Sequence, residues 1–303
     1  MNYRKLSKFI DNIGKEYNIP CYDISIYYNH VNVFSRKKGY SGIKNKLKSI
    51  GRNYYFMQSG TKIMCCVALM RLVQSYKASL NDKVCDYLPD FESNIKIKDM
   101  ITNYSRSSHT EDEVFNFSNI KKLIEAISNV TFEEFIHNEI TGPLKMKSTS
   151  FNLTDKSKNR IALQYSFDEK NGTYTEHTAN VEKIANRNDG CVITTVDDYA
   201  RFCEAICNNG ISQSGYRLLN KESVDVLINK LIYKETEKDD AFVCVGYHGG
   251  LVLVDTKKKI TIVYAQNVKN MSVAQLEMYP HLRKLVYECV GADTWSMGYN
   301  MFP

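Results

Sequence analysis

The segment Ser59-Gly60-Thr61-Lys62 and the unbroken apolar run 63–70 behind it constrain this chain more than any other part of it. A helix over 61–76 is apolar on most sides, so it has little polar face to offer water and belongs in the middle of a folded body. Eight apolar residues fall far short of the roughly 20 that span a bilayer, so no transmembrane helix is expected. Enclosing such a helix takes a large chain. With 303 residues, 43% of them hydrophobic, only 5 prolines and 24% charged residues of mixed sign, the sequence can bury a sizeable core and is neither disordered nor fibrous. Length suggests about two lobes sharing one core.

Composition removes several classes. The N-terminus reads as an amphipathic helix (Leu6, Phe9, Ile10, Ile13) broken by Lys8, Asp11 and Asn12, without the continuous apolar stretch of an export signal. Nine cysteines, an odd number lying mostly in apolar stretches, read as reduced thiols used as small core hydrophobes, which points to the cytoplasm. No CxxC occurs, Cys203 and Cys207 lack a matching histidine pair, and the six histidines are dispersed, so neither metal nor cofactor is expected. A net charge of +6 with basic stretches at Arg36-Lys37-Lys38 and 44–48 reads as solvated faces, since no helix-turn-helix, RNP or finger pattern accompanies it. The expected partner is a small-molecule or peptide substrate, with no nucleic acid and no membrane. Oligomeric state is open.

Periodicity divides the chain. Tyr22, Ile24, Ile26 and Tyr28 alternate with Asp23, Ser25 and Tyr27, then Asn29-His30 turns the chain into Val31 and Val33, a strand pair. Near the other end, 242–245, 251–254 and 260–265 read as an antiparallel meander, followed by a closing helix with Ser272 and Gln275 as its capping box and Pro280 as a kink. Between them, 61–76, 95–102, 120–128, 131–139 and 196–208 are helical by period. This implies a discontinuous sheet domain, 1–77 and 160–303, carrying an inserted helical lobe over 78–159. A cleft between sheet and insert is where a concave site would form.

Ser-x-x-Lys is uninformative as a bare pattern, for it also occurs at Ser35/Lys38, Ser41/Lys44, Ser93/Lys96 and Ser118/Lys121. Only at Ser59 does it open a long apolar helix, which places serine and lysine one turn apart on the same face. Desolvation lowers a lysine's pKa toward that of a usable base, and a helix N-terminus stabilises a developing oxyanion. Ser59 is therefore a candidate nucleophile and Lys62 its general base. A serine N-cap followed by an ordinary snorkelling lysine explains the same residues.

Residues 55–62, continued by Leu72-Val73, 79–84 and Tyr87-Leu88-Pro89-Asp90-Phe91, resemble the serine beta-lactamase-related family. That family includes class C beta-lactamases, D-alanyl-D-alanine carboxypeptidases and family VIII esterases. The resemblance continues in order through Phe117-Ser118-Asn119, 131–135, 143–151, 189–202 and Gly246-Tyr247-His248-Gly249-Gly250. It implies an α/β (α+β) fold of the beta-lactamase/transpeptidase type: an antiparallel sheet flanked by helices from both chain termini, with a reduced helical lobe. It also implies an acyl-enzyme on Ser59 activated by Lys62, and a substrate cleft lined by Phe117, Asn119, His248, Gly249, Gly250 and Leu251. Asn119 would orient Lys62 and the substrate, and the N–H groups of Ser59 and Leu251 would form the oxyanion hole. The chain departs from the pattern where the family keeps a tyrosine that relays protons, for Phe117 has no ionisable group. Slow turnover on an ester, an amide or a D-amino-acid peptide is the expectation, or a role as a binding or regulatory module. Tyr104, His109 and Tyr165 are conceivable replacement bases. Only eleven residues separate Ser105 from Phe117, which suggests an open cleft, and the apolar tail Trp295, Met297, Tyr299, Met301 and Phe302 is expected to dock on the body or on another subunit.

Overall fold

In the strand Cys21–Tyr28, Tyr22, Ile24 and Ile26 face one side and Cys21, Asp23, Ser25 and Tyr27 the other, and all seven are buried. A strand buried on both faces needs helices on both sides of its sheet. The computed structural model describes residues 3–44, 46–49, 53–106, 114–177, 190–232, 241–245, 249–269 and 273–292. Among the described residues its α-helices are α1 (Tyr3–Glu16), α2 (Gln58–Gln74), α3 (Ile97–Arg106), α4 (Phe117–Ser128), α5 (Phe132–Ile136), α6 (Asp155–Lys158), α7 (Val196–Cys207), α8 (Lys221–Val226) and α9 (Val273–Val290). The strands are β1 (Cys21–Tyr28), β2 (Val31–Gly42), β3 (Leu47–Lys48), β4 (Tyr55–Phe56), β5 (Thr149–Ser150), β6 (Tyr165–Asp168), β7 (Thr173–Glu176), β8 (Ile193–Thr194), β9 (Ala241–Val245), β10 (Leu251–Asp255), β11 (Ile260–Gln266) and β12 (Val268–Lys269).

The principal sheet has the order β3-β2-β1-β11-β10-β9, antiparallel throughout, so the strands from both chain ends close into one sheet. Asn29 and His30 both take left-handed φ (48° and 67°) in the two-residue turn that sets Tyr28 opposite Val31. On one face, Leu6, Ile10 and Ile13 of α1 and Leu282 and Val286 of α9 pack on Ile24, Leu253 and Ile262. On the other, Val252, Val254, Val263 and Ala265 join α2 and α7 in a single core. Residues Ile63, Met64, Cys65, Cys66, Val67, Ala68, Leu69 and Met70 are each at most 4% exposed, so α2 is the central helix that its composition requires. Each large side chain so buried contributes about 1.5–3 kcal/mol.

Two boundaries differ from the periodicity for local reasons. Helix α3 starts at Ile97, because Lys96 is drawn into a bridge with Lys83 and the Val84 N–H donates to the Ile95 carbonyl at 2.9 Å. Helix α4 starts at Phe117 rather than at residue 120, because Asn116 caps it: its Oδ1 accepts from the Asn119 N–H at 2.9 Å. Pro280 lies inside α9, while Ser272 falls outside the described residues. Two small sheets, β4-β8-β5 and β12-β6-β7, consist largely of two-residue strands too short for alternation to reveal. Among the described residues, no helix is long and apolar enough to cross a membrane.

Candidate active site

Strand β4 pairs with β8 and delivers the chain to α2, where the Met57 N–H donates to the Val192 carbonyl at 3.0 Å. Met57 occupies the N-cap position and makes no side-chain cap bond; Gln58 and Ser59 are already helical. Ser59 therefore does not cap α2, and the capping explanation for this serine is corrected. Two contacts from elsewhere clamp the first turn. Thr61 Oγ1 accepts from the Val192 N–H at 2.8 Å, and the Tyr199 hydroxyl of α7 donates to the Gly60 carbonyl at 2.8 Å. A Cβ at position 60 would lie 2.9 Å from the Tyr199 hydroxyl, so glycine is what allows helix α7 to approach beside Ser59.

Lys62, one turn along, is half-buried, and burial lowers its pKa below the ordinary lysine value, opposed in part by the Cys244 and Cys66 thiols nearby. Its Nζ sits 5.8 Å from the centre of the Tyr104 ring. Tyr104 thus offers Lys62 a ring face. Its hydroxyl is buried, hydrogen-bonded to Cys65 and held well above the usual phenol range, so it makes a poor stand-in base. The residue that faces Ser59 across the site is Cys244 of β9. Its partly buried thiol hydrogen-bonds with Ser59, lies beside Lys62 and is pushed up to about 11 by burial. From sequence, Cys244 reads as one of the small core hydrophobes. The usable signal was its alternation with Phe242, which puts both on the α2 face of an outer strand.

Phe117 is buried at the start of α4, edge-on to Phe132 at 5.3 Å and stacked on Phe151 at 5.9 Å between ring centres. Gly190 takes φ +56°, and a Cβ there would come within 2.2 Å of the Phe117 ring, so the ring lies directly on that glycine. The Asn119 side-chain nitrogen donates to the Val114 carbonyl at 3.0 Å. A Cβ at Gly250 would meet Met57 Sδ at 3.5 Å, which brings this turn to the mouth of α2. Gly249 has φ +80°, and its carbonyl accepts from the Tyr279 hydroxyl at 3.0 Å. Leu251 opens β10, which is flanked by β9 and β11, and its side chain packs toward α1 and α9, away from Ser59. Tyr165 is placed elsewhere. Its hydroxyl donates to Glu176 at 3.3 Å and accepts from the Ile43 N–H at 2.9 Å, in a groove of about 340 Å³ between Ile43 and Tyr174. His109, His248 and the aromatic tail fall outside the described residues.

One cluster among the described residues could present metal ligands. His30, Glu204 and Cys207 bring ligand atoms within 4.8 Å of one another. The histidine expected to be lacking near Cys207 comes from the β1–β2 turn, 174 residues from Glu204. The carboxylate is already engaged, by His30 Nδ1 at 2.6 Å and by the Thr261 hydroxyl at 3.0 Å, and the trio sits at the end of α7 remote from Tyr199.

An antiparallel sheet covered on one face by the terminal helices, a buried helix opening on serine and lysine, and a glycine turn at its mouth define the beta-lactamase/transpeptidase-like fold class. The beta-lactamase family model matches residues 6–110 and 114–284, and this chain belongs to that family. It is 23% identical to protein flp of Staphylococcus aureus strain N315 over 54% of its own length, a match that spans 41% of flp. It is 21% identical to teichoic acid D-alanine hydrolase of Staphylococcus aureus, covering 91% of this chain and 76% of that protein. The D-amino acid amidase of Ochrobactrum anthropi SV3 superposes with a TM-score of 0.72 at 14% identity, over 94% of this chain and 99% of that one.

Proposed function

We propose that this protein is a serine hydrolase that forms an acyl-enzyme on Ser59 and acts on an ester, an amide or a D-amino-acid peptide. The observation that carries this reading is the first turn of α2: a serine that is not the N-cap, one helical turn from a lysine whose pKa is lowered by burial. Two proteins it resembles, a teichoic acid D-alanine hydrolase and a D-amino acid amidase, are named for reactions of that kind. In this mechanism neutral Lys62 takes the Ser59 proton as Oγ attacks the carbonyl carbon. The Ser59 N–H at the helix start supplies one oxyanion donor. The second, which the resemblance assigns to Leu251, is better drawn from the open edge of β9, because β10 is an interior strand. All nine cysteines are free thiols, which supports a reducing compartment. Incubation with a fluorophosphonate, followed by intact mass and peptide mapping, is expected to give one adduct on Ser59, absent in Ser59→Ala. No adduct ends the proposal.

A second reading, a binding or regulatory module with lost turnover, is favoured by the aromatic packing of Phe117, which leaves no hydroxyl at that position. Phe117→Tyr separates the two. A slow hydrolase is expected to gain about tenfold or more in turnover of p-nitrophenyl acetate, within the range of general acid–base help. An unchanged, negligible rate would favour the module.

A further inference from the structure

We propose that Cys244 is a third catalytic residue, its thiol passing the proton between Lys62, Ser59 and the leaving group in place of the hydroxyl that Phe117 lacks. The inference rests on the Ser59 reading above and adds the identity of the relay. Cys244 reaches the site from β9, the outer strand of the principal sheet, where it stands opposite Val252 and faces α2. Its thiol hydrogen-bonds with Ser59 and interacts electrostatically with Lys62, which is the position a relay must occupy. Among the described residues, the other titratable groups facing it are Cys66 of α2 and Tyr199 and Cys203 of α7, all buried and raised in pKa, and none of these is a carboxylate that competes for its proton. Burial keeps this thiol protonated at neutral pH. It is therefore a donor and not a rival nucleophile.

The proton balance closes. Ser59 Oγ attacks the substrate carbonyl and its proton moves to neutral Lys62. As the bond from carbon to the leaving group breaks, the leaving group takes the Cys244 proton, and the Lys62 ammonium reprotonates the thiolate. In deacylation water attacks the acyl carbon and gives a proton to Lys62. Ser59 Oγ departs with the Cys244 proton, Lys62 again restores the thiol, and the products are the free acid and the resting enzyme.

The test compares wild type with Cys244→Ala on ethyl acetate, whose alkoxide cannot leave unprotonated, and on p-nitrophenyl acetate, whose phenolate can. Ethyl ester turnover is expected to fall about 10²–10³-fold, as for loss of general acid–base help. First-turnover release of nitrophenolate is expected to change less than about threefold, and Cys244→Ser should recover part of the ethyl ester rate by keeping a donor of similar size. Equal losses on both esters would reveal a merely structural role, and no loss on either would equally overturn the relay. Labelling of Ser59 by the fluorophosphonate with neither ester consumed by the wild type overturns the relay while leaving Ser59 reactive. No labelling in the wild type brings down the Ser59 reading itself.

Discussion

Replacing Lys62 by methionine is expected to slow the acylation of Ser59 by about 10²–10⁴-fold while leaving the fold intact. Methionine fills a similar volume and suits the half-buried environment beside Tyr104 and Cys66, so packing in α2 should survive. What disappears is the proposed base. The sign of the pH dependence follows from the lowered pKa of Lys62. Only the neutral amine can accept the serine proton, so acylation in the wild type should rise with pH through a midpoint below the ordinary lysine value of 10.5. The rate of fluorophosphonate labelling across pH 6–10 measures this, with circular dichroism as the control for folding. A loss smaller than threefold, or the same pH profile in Lys62→Met, would remove lysine from the mechanism and leave Ser59 a surface-cleft hydroxyl.

Asp23→Asn is expected to stabilise the protein above neutral pH, by an amount on the order of 4 kcal/mol. Asp23 is 1% exposed in the middle of β1, and burial raises its carboxyl from 3.8 to about 7, against the opposing hydrogen bonds of Ser49 and Tyr55 and the charge of Lys37. Because the folded state holds this proton more tightly than the unfolded chain, the contribution is fully favourable below about pH 4. It is lost as pH rises through 7. Asparagine keeps an acceptor for the Ser49 hydroxyl, which donates at 3.1 Å, and never ionises. Urea unfolding midpoints at pH 5 and pH 8 provide the measurement: the wild type should weaken more between them than the variant does. Parallel pH dependence in the two proteins would show that Asp23 is not buried as a high-pKa acid.

Much of the architecture is legible in residues close together along the chain. The apolar run of α2 and the apolar strands of the C-terminal meander each declare an element that must be covered on every side, because a helix or strand without a polar face has none to offer water. The early start of α4 escaped that reading because a side-chain cap outweighs hydrophobic period at a helix end. The two-residue strands of the small sheets carry no period at all.

The pairing of Ser59 with Lys62 is likewise a local matter, since three residues along a helix bring two side chains to one face whatever surrounds them. Tertiary structure decides what that pair can do. Tyr199 grips the Gly60 carbonyl from 139 residues away, Val192 holds Thr61, and the order of the principal sheet carries Cys244 to the serine. Those neighbours are chosen by strand register and by helices α2 and α7 packing on one sheet face, quantities that no short stretch of sequence encodes. Desolvation of Lys62 belongs to the same class, because an amine loses water only when elements distant along the chain close around it.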